Sequence, residues 1–256
     1  MSAAAAAAAR TVALVTGHSR GLGAALAESL LRRGVAVVGL ARHGNDALAA
    51  AFPAQLRQVV LDLADVEAVT QWAAGPALSE SLAGAERALL LNNAGVVQPI
   101  GPAGSLPPEA VARAVAVNVT APLLLTEGFL AATAAAGCRD RRVMHISSGA
   151  ARSAYAGWSV YCATKAALDH HARAVAADSL PGLRLCSMAP GVIDTDMQGE
   201  IRATPAERFP LLDRFRDLKA GGGLMAPEAC AERLVEHLLG AAFGAVPVAD
   251  LRTLAD

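Results

Sequence analysis

Short apolar runs rich in β-branched residues alternate along this chain with stretches whose apolar positions recur at helical spacing. The first kind predicts strands at 11–16, 35–40, 57–61, 87–92, 141–146, 183–188 and 245–249. The second predicts helices at 22–33, 45–51, 65–74, 108–136, 159–179 and 227–239. Residues 11–15 are apolar at nearly every position, the mark of a strand covered on both faces. Regular strand–helix alternation predicts parallel strands joined by right-handed crossovers. The expected fold is therefore α/β, a Rossmann-type doubly wound sheet of about seven strands with helices on both faces. No repeat or linker divides 11–256, which reads as a single domain. The alternation fails only at 194–226, where Pro205, Pro210 and Gly221-Gly222-Gly223 surround Phe209, Leu211, Leu212 and Phe215. A long segment of this kind after the sixth strand reads as a substrate lid.

Composition narrows the classes. A hydrophobic fraction of 54% in 256 residues suits a sheet covered on both sides, and a net charge of −1 gives no reason to expect nucleic acid or an anionic membrane. No apolar run reaches the roughly 18 residues of a spanning helix. Cys138, Cys162, Cys186 and Cys230 lack metal-type pair spacing and read as free thiols in a reducing cytoplasm. None of the six histidines clusters at zinc spacing; adjacent His170 and His171 diverge on a helix. Residues 1–10 (Met-Ser, seven alanines and Arg10) read as a frayed leader without a catalytic role, because the basic residue follows the apolar stretch.

Two motifs carry chemistry. Gly17, Gly21 and Gly23 sit between the first strand and the first helix, where bare amides and a positive helix end suit a pyrophosphate. Tyr161 and Lys165 are four residues apart on one helix face, with Ser148 thirteen residues before the tyrosine. A phenol with a pKa of about 10 is a poor acid at neutral pH unless a cation stabilises its anion. Lys165 can supply that cation, and Ser148 a hydroxyl for a substrate oxygen; the spacing selects it over Ser147. Where an NAD-binding sheet would carry an acid after strand two, this chain has Ala41-Arg42. Arg42, joined by Arg20, favours a 2′-phosphate and hence NADP(H).

Thr16-Gly17-x-x-x-Gly21-x-Gly23, Asn92-Asn93-Ala94-Gly95, Asn118, Ser148, Tyr161/Lys165 and Pro190-Gly191-x-x-x-Thr195 occur in the order seen in short-chain dehydrogenases/reductases, and the chain resembles that family over roughly 10–250. Within it, Gly157-Trp158-Ser-Val-Tyr161-Cys162 and the 194–198 run look like the sepiapterin reductase and benzil reductase branch. The resemblance implies a cofactor site made of Gly17, Ser19, Arg20, Gly21, Leu22, Gly23, Arg42, Asp62, Asn93, Ala94, Gly95, Tyr161, Lys165, Pro190, Gly191, Ile193 and Thr195. It places Asp62 at the adenine, although helix capping explains that residue almost as well, and Thr195 at the nicotinamide carboxamide. It gives Lys165 a second role on the ribose and Asn118 a water that relays protons. Tyr155, Trp158 and Met197 become candidates for the substrate wall, and Asp250 for a pterin anchor. The implied activity is NADPH-dependent reduction of a ketone or α-diketone, or of a pterin side chain, by a homodimer or homotetramer.

Three alternatives compete. A non-catalytic NADPH sensor would keep the glycine loop and lose part of the Ser/Tyr/Lys set, which is intact here. A 3-ketoacyl thioester reductase would be expected to show a basic patch for an acidic carrier. A serine hydrolase could use Gly17-His18-Ser19-Arg20-Gly21, a literal Gly-x-Ser-x-Gly, but would leave Gly23, Tyr161 and Lys165 unexplained.

Overall fold

The computed structural model describes residues 10–254; the expected leader lies, except for Arg10, outside them. Seven strands form one sheet: β1 Thr11–Thr16, β2 Ala36–Ala41, β3 Leu56–Val60, β4 Arg87–Asn92, β5 Asp140–Ile146, β6 Leu183–Ala189 and β7 Val248–Asp250. Their order is β3-β2-β1-β4-β5-β6-β7, every neighbouring pair parallel. The order reverses between β1 and β4, and a doubly wound sheet opens its crevice at that switch, beyond the carboxyl ends of the strands.

Among the described residues ten α-helices accompany the sheet: α1 Gly21–Arg32, α2 Asp46–Ala51, α3 Val66–Ala74, α4 Pro76–Leu82, α5 Pro108–Val115, α6 Ala121–Ala135, α7 Ser159–Ala177, α8 Asp196–Arg202, α9 Leu212–Ala220 and α10 Pro227–Leu239. Two apolar cores sandwich the sheet. One packs Leu26, Leu30, Leu234 and Leu238 of α1 and α10 under Ala13, Val15, Leu89 and Leu91. The other packs Val69, Leu78, Leu125 and Phe129 of α3, α4 and α6 against Val12, Leu14, Leu90 and Val143. Alternate residues of β1 and β4 thus point to opposite cores, which is why these strands read as continuous apolar runs.

The structure departs from the sequence reading at five places. The helix expected over 108–136 is interrupted by a π-turn at Ala116–Thr120 that contains Asn118. Pro122 has no N–H to return to the carbonyl of Asn118, so the regular ladder fails there. That same stretch, Pro108–Ala135, also holds an 18-residue window of mean hydropathy 1.5, contrary to the expectation that no run would be so long and apolar; it packs against α3, α4, β4 and β5. Residues 194–226 are not irregular but fold α8 and α9. Helix α4 begins at Pro76, whose fixed φ suits a first turn. The last strand starts at Val248 rather than 245, its register set by pairing with Ser187–Ala189.

A polar chain runs through the second core. Asn92 Nδ2 lies 3.1 Å from His145 Nδ1, and His145 Nε2 lies 3.1 Å from His171 Nδ1. Burial, reinforced by His171 and Lys165, pushes the His145 pKa down to about 3. The native state thus leaves this ring neutral where the unfolded chain, near 6.5, would protonate it. Its contribution to stability is complete above pH 6.5 and is lost as pH falls towards 3, each pKa unit corresponding to about 1.4 kcal/mol. The melting temperature should drop steeply on acidification from pH 6.5 to 4, and the slope should flatten in His145→Gln. An equal slope in both proteins would remove His145 as the cause.

Candidate active site

The glycine turn after β1 is shaped by backbone contact. Gly17 and Gly21 have φ of +71° and +54°, a region L side chains rarely enter. At Gly23 a Cβ would stand 2.0 Å from the Gly17 carbonyl oxygen, so the helix can approach the strand this closely only without a side chain. Thr16 fastens the turn to β4: its hydroxyl accepts from the Asn93 and Ala94 amides, each at 2.9 Å, and its carbonyl accepts from Asn93 Nδ2 at 2.9 Å. The first turn of α1 has no side-chain cap. Its N–H groups therefore face the cleft as an anion site. His18, expected in this turn, instead points into the body, where it bonds Gln58 at 2.7 Å. Gly39 makes room for it, since a Cβ there would meet the imidazole at 2.3 Å.

The cleft above the turn encloses about 700 Å³ and is lined by every residue that the resemblance placed on the cofactor. Exposed Arg42 stands at its far end, beside His43 and Gly44. Asp62 lines the same end but is not the helix cap; Asp65 caps α3, and Asp62 pairs with Arg113 at 3.4 Å. Arg20, expected beside Arg42, turns to Asp196 on α8 at 2.9 Å. A charge 176 positions away in sequence thus takes one of the two guanidiniums.

At the other end, Ser148, Tyr161 and Lys165 converge. Ser148 opens a short turn at Gly149–Ala151, its hydroxyl accepting from the Ala150 amide, and also bonds the Tyr161 phenol. Burial pushes Tyr161 up to about 12, opposed by that hydrogen bond. Burial pushes Lys165 down to about 8, against an upward pull from Asp169. The Lys165 ammonium donates to the Ile146 carbonyl at 2.7 Å and lies 5.8 Å from the Tyr161 ring centre. Asn118 does not line the cleft. Its side chain bonds both the amide and carbonyl of Val96 at 2.8 Å and donates to Thr164 at 3.2 Å. Both its donors are used on protein, so the side chain anchors the wall between Gly95 and Lys165.

The wall facing the catalytic trio is aromatic. Trp158 stacks on Phe209 at 4.8 Å and meets Tyr155, Tyr161 and Phe215 edge-on or tilted at 5.2–5.8 Å. Tyr155, Trp158 and Met197 line the cleft as expected, joined by Arg214, Phe215, Leu218 and Arg252. Phe215 was already among the apolar residues of 194–226, but sequence reasoning singled out neither Arg214 and Leu218 of α9 nor Arg252 of the tail. Asp250 is a correction: it lies behind this wall, outside the main cleft, in a second hollow. Arg252 bonds it at 2.6 Å and holds its carboxyl below the usual range, with Arg152 at 3.9 Å. A carboxylate engaged in this way is not free to anchor a ring in the cleft.

Of the histidines a hydrolase could use, His18 is turned to Gln58 and His237 packs on Phe243. Among the described residues no His/Cys/Asp/Glu group is arranged to hold a metal.

Known proteins share this architecture. A benzil reductase ((S)-benzoin forming) of Bacillus cereus is 35% identical over 86% of this chain and 91% of its own length. A sepiapterin reductase of Meriones unguiculatus is 33% identical over 89% of this chain and 90% of its own. A crystal structure of a short-chain dehydrogenase/reductase from Burkholderia vietnamiensis is 49% identical with a TM-score of 0.70, covering 97% of this chain and all of that one. The family profile described as short chain dehydrogenase matches residues 11–206. This chain belongs to the short-chain dehydrogenase/reductase family and is an oxidoreductase of that family.

Proposed function

We propose that the protein is an NADPH-dependent carbonyl reductase acting on a ketone or α-diketone with an aromatic or similarly flat substituent. The observation that carries this reading is the meeting of Ser148, Tyr161 and Lys165 at one end of a cleft whose other end is an uncapped, side-chain-free glycine turn. The residues present fit a dinucleotide: Gly17, Gly21 and Gly23 leave amides bare for its pyrophosphate, exposed Arg42 in the cleft lining would hold a 2′-phosphate, and Thr195 stands over Gly21. Bound there, the reduced cofactor supplies hydride to a carbonyl carbon.

The protein handles the oxygen. Ser148 and Tyr161 donate to it, and these bonds strengthen as negative charge develops there. Tyr161, protonated throughout the neutral range, passes its proton to that oxygen to complete the alcohol. Lys165 stabilises the phenolate left behind and must be cationic to do so. Asn118 keeps Gly95 and Lys165 in register. The relay water expected of Asn118 falls to its main-chain oxygen, which Pro122 deprives of a helical donor.

Residues 194–226 act as a lid. An Ile193–Met225 bridge pins the two stems together, Phe215 lines the cleft, and Phe209 packs behind it on Trp158.

The test is NADPH consumption with α-diketones, aryl ketones, sepiapterin and ketoacyl thioesters. Turnover of the first three groups supports the reading; turnover of thioesters alone, or NADPH binding with no turnover, overturns it. Cofactor choice has its own test. A hydrogen bond to a charged group contributes about 1.5–3 kcal/mol, so Arg42→Ala should raise KM for NADPH about 10- to 100-fold. KM for NADH should stay unchanged. Equal loss with both cofactors would remove Arg42 from the 2′-phosphate.

A further inference from the structure

The catalytic steps above leave one buried carboxylate without a part. Asp169 lies on α7 one helical turn after Lys165 and is 2% exposed. Its Oδ1 accepts from Ser147 at 2.6 Å and from Ser187 on β6 at 2.7 Å. Its Oδ2 is buried without a hydrogen-bond partner, and Arg152 Nε stands 3.8 Å from it. Ser147 immediately precedes Ser148, and Arg152 immediately follows the turn that Ser148 opens. Asp169 therefore grips the Ser148 loop on both flanks. A buried carboxylate with one bare oxygen is costly, and the neighbourhood offers two cations to offset it, Arg152 and Lys165.

We propose that Asp169 is a positioning residue with two effects on the reaction: it fixes the loop that presents Ser148, and it is the buried negative charge that keeps Lys165 cationic. The proposal rests on the carbonyl-reductase reading for its kinetic consequence. The groups around Lys165 favour no other source for that charge. From β5 it meets the Ile146 carbonyl and has a neutral His145 nearby, across Gly95 stands the uncharged Asn118 side chain from the π-turn, and on its own helix lie Tyr161 and Asp169. Around Asp169 stand Arg152 from the loop, Ser147 and Ser187 from the sheet, Cys186 beside it, and Asp250 behind Arg152. Burial alone moves Lys165 downward, and Asp169 opposes it.

The experiment follows kcat against pH in the full-length protein with NADPH and its best carbonyl substrate. Asp169→Asn keeps the shape and removes the charge. An opposite charge at this range moves a pKa by about 1–3 units, so the alkaline limb should fall by about one unit or more. KM should change little. Arg152→Gln, at a partly exposed loop position, removes the competing cation and should move the limb upward. Ser147→Ala removes a hydrogen bond and keeps the charge, so it should lower the melting temperature and leave the limb in place. Unmoved limbs in both Asp169→Asn and Arg152→Gln would reduce Asp169 to a packing role and overturn the proposal. If Asp169→Asn does not fold, Arg152→Gln decides alone. The chain has only two lysines, Lys165 and Lys219, so a ¹³C-lysine NMR titration reads Lys165 directly without turnover. Failure of the reductase reading would then appear as wild-type protein that binds NADPH and reduces nothing, while the titration still decides the Asp169 link.

Discussion

Tyr161→Phe should lower kcat for carbonyl reduction by about 10²- to 10⁴-fold, the usual contribution of a placed general acid. The ring stays, so its 5.2 Å contact with Trp158 and the fold around it are preserved. The glycine turn proposed to hold the pyrophosphate is untouched, so NADPH should bind nearly as before, which fluorescence titration can measure. A loss of rate with intact binding assigns the proton to the phenol; unchanged rate would remove Tyr161 from the chemistry. The pH profile supplies a second reading of the same step. Tyr161, pushed up to about 12, remains protonated at any working pH, so it sets no limb below that value. Lys165, pushed down to about 8, loses its charge as pH rises, and the rate should decline through that range.

Gly23→Ala should be more destructive and for a different reason. The added carbon would stand 2.0 Å from the Gly17 carbonyl oxygen and 2.5 Å from Asn93 Nδ2. Neither can yield freely: the first is backbone, and the second is held to Thr16. The turn must open, at a cost of about 1–3 kcal/mol by the record of overpacked sites. Opening also spreads the amides that would meet the pyrophosphate. NADPH affinity should fall about 10- to 100-fold, and the melting temperature with it. Gly34→Ala is the control. Its backbone is also left-handed, but nothing lies within 4 Å, so it should cost stability of about 1 kcal/mol and leave cofactor affinity alone.

What could be read from the chain beforehand follows from how local each signal is. The sheet was legible because β1 and β4 bury both faces and so carry unbroken apolar runs. The glycine turn and the Tyr161/Lys165 pair were legible because their chemistry needs fixed short spacings. The π-turn was not, because helical periodicity survives it and only Pro122 hints at the fault. Helices α8 and α9 were hidden by the prolines and glycines around them. The Asp196 partner of Arg20 and the surroundings of Asp169 were missed because they belong to other elements, whereas Asp250 is taken up by Arg252 only two residues on, a pairing that sequence spacing alone does not reveal. Asp196 reaches Arg20 from α8, Arg152 approaches Asp250 from the Ser148 loop, and Ser187 reaches Asp169 from β6.

The rarity of lysine has a practical consequence. Lys165 is buried, whereas Lys219 is half exposed on α9, paired with Asp194 at 2.6 Å. Amine-reactive reagents would therefore find, apart from any α-amino group, a single side chain, and it belongs to the helix that brings Phe215 to the cleft wall. Coupling this enzyme to an activated resin through its amines would hold it by α9 and, under the lid role proposed for 194–226, slow turnover. A dye on the same side chain would report closure of the proposed lid.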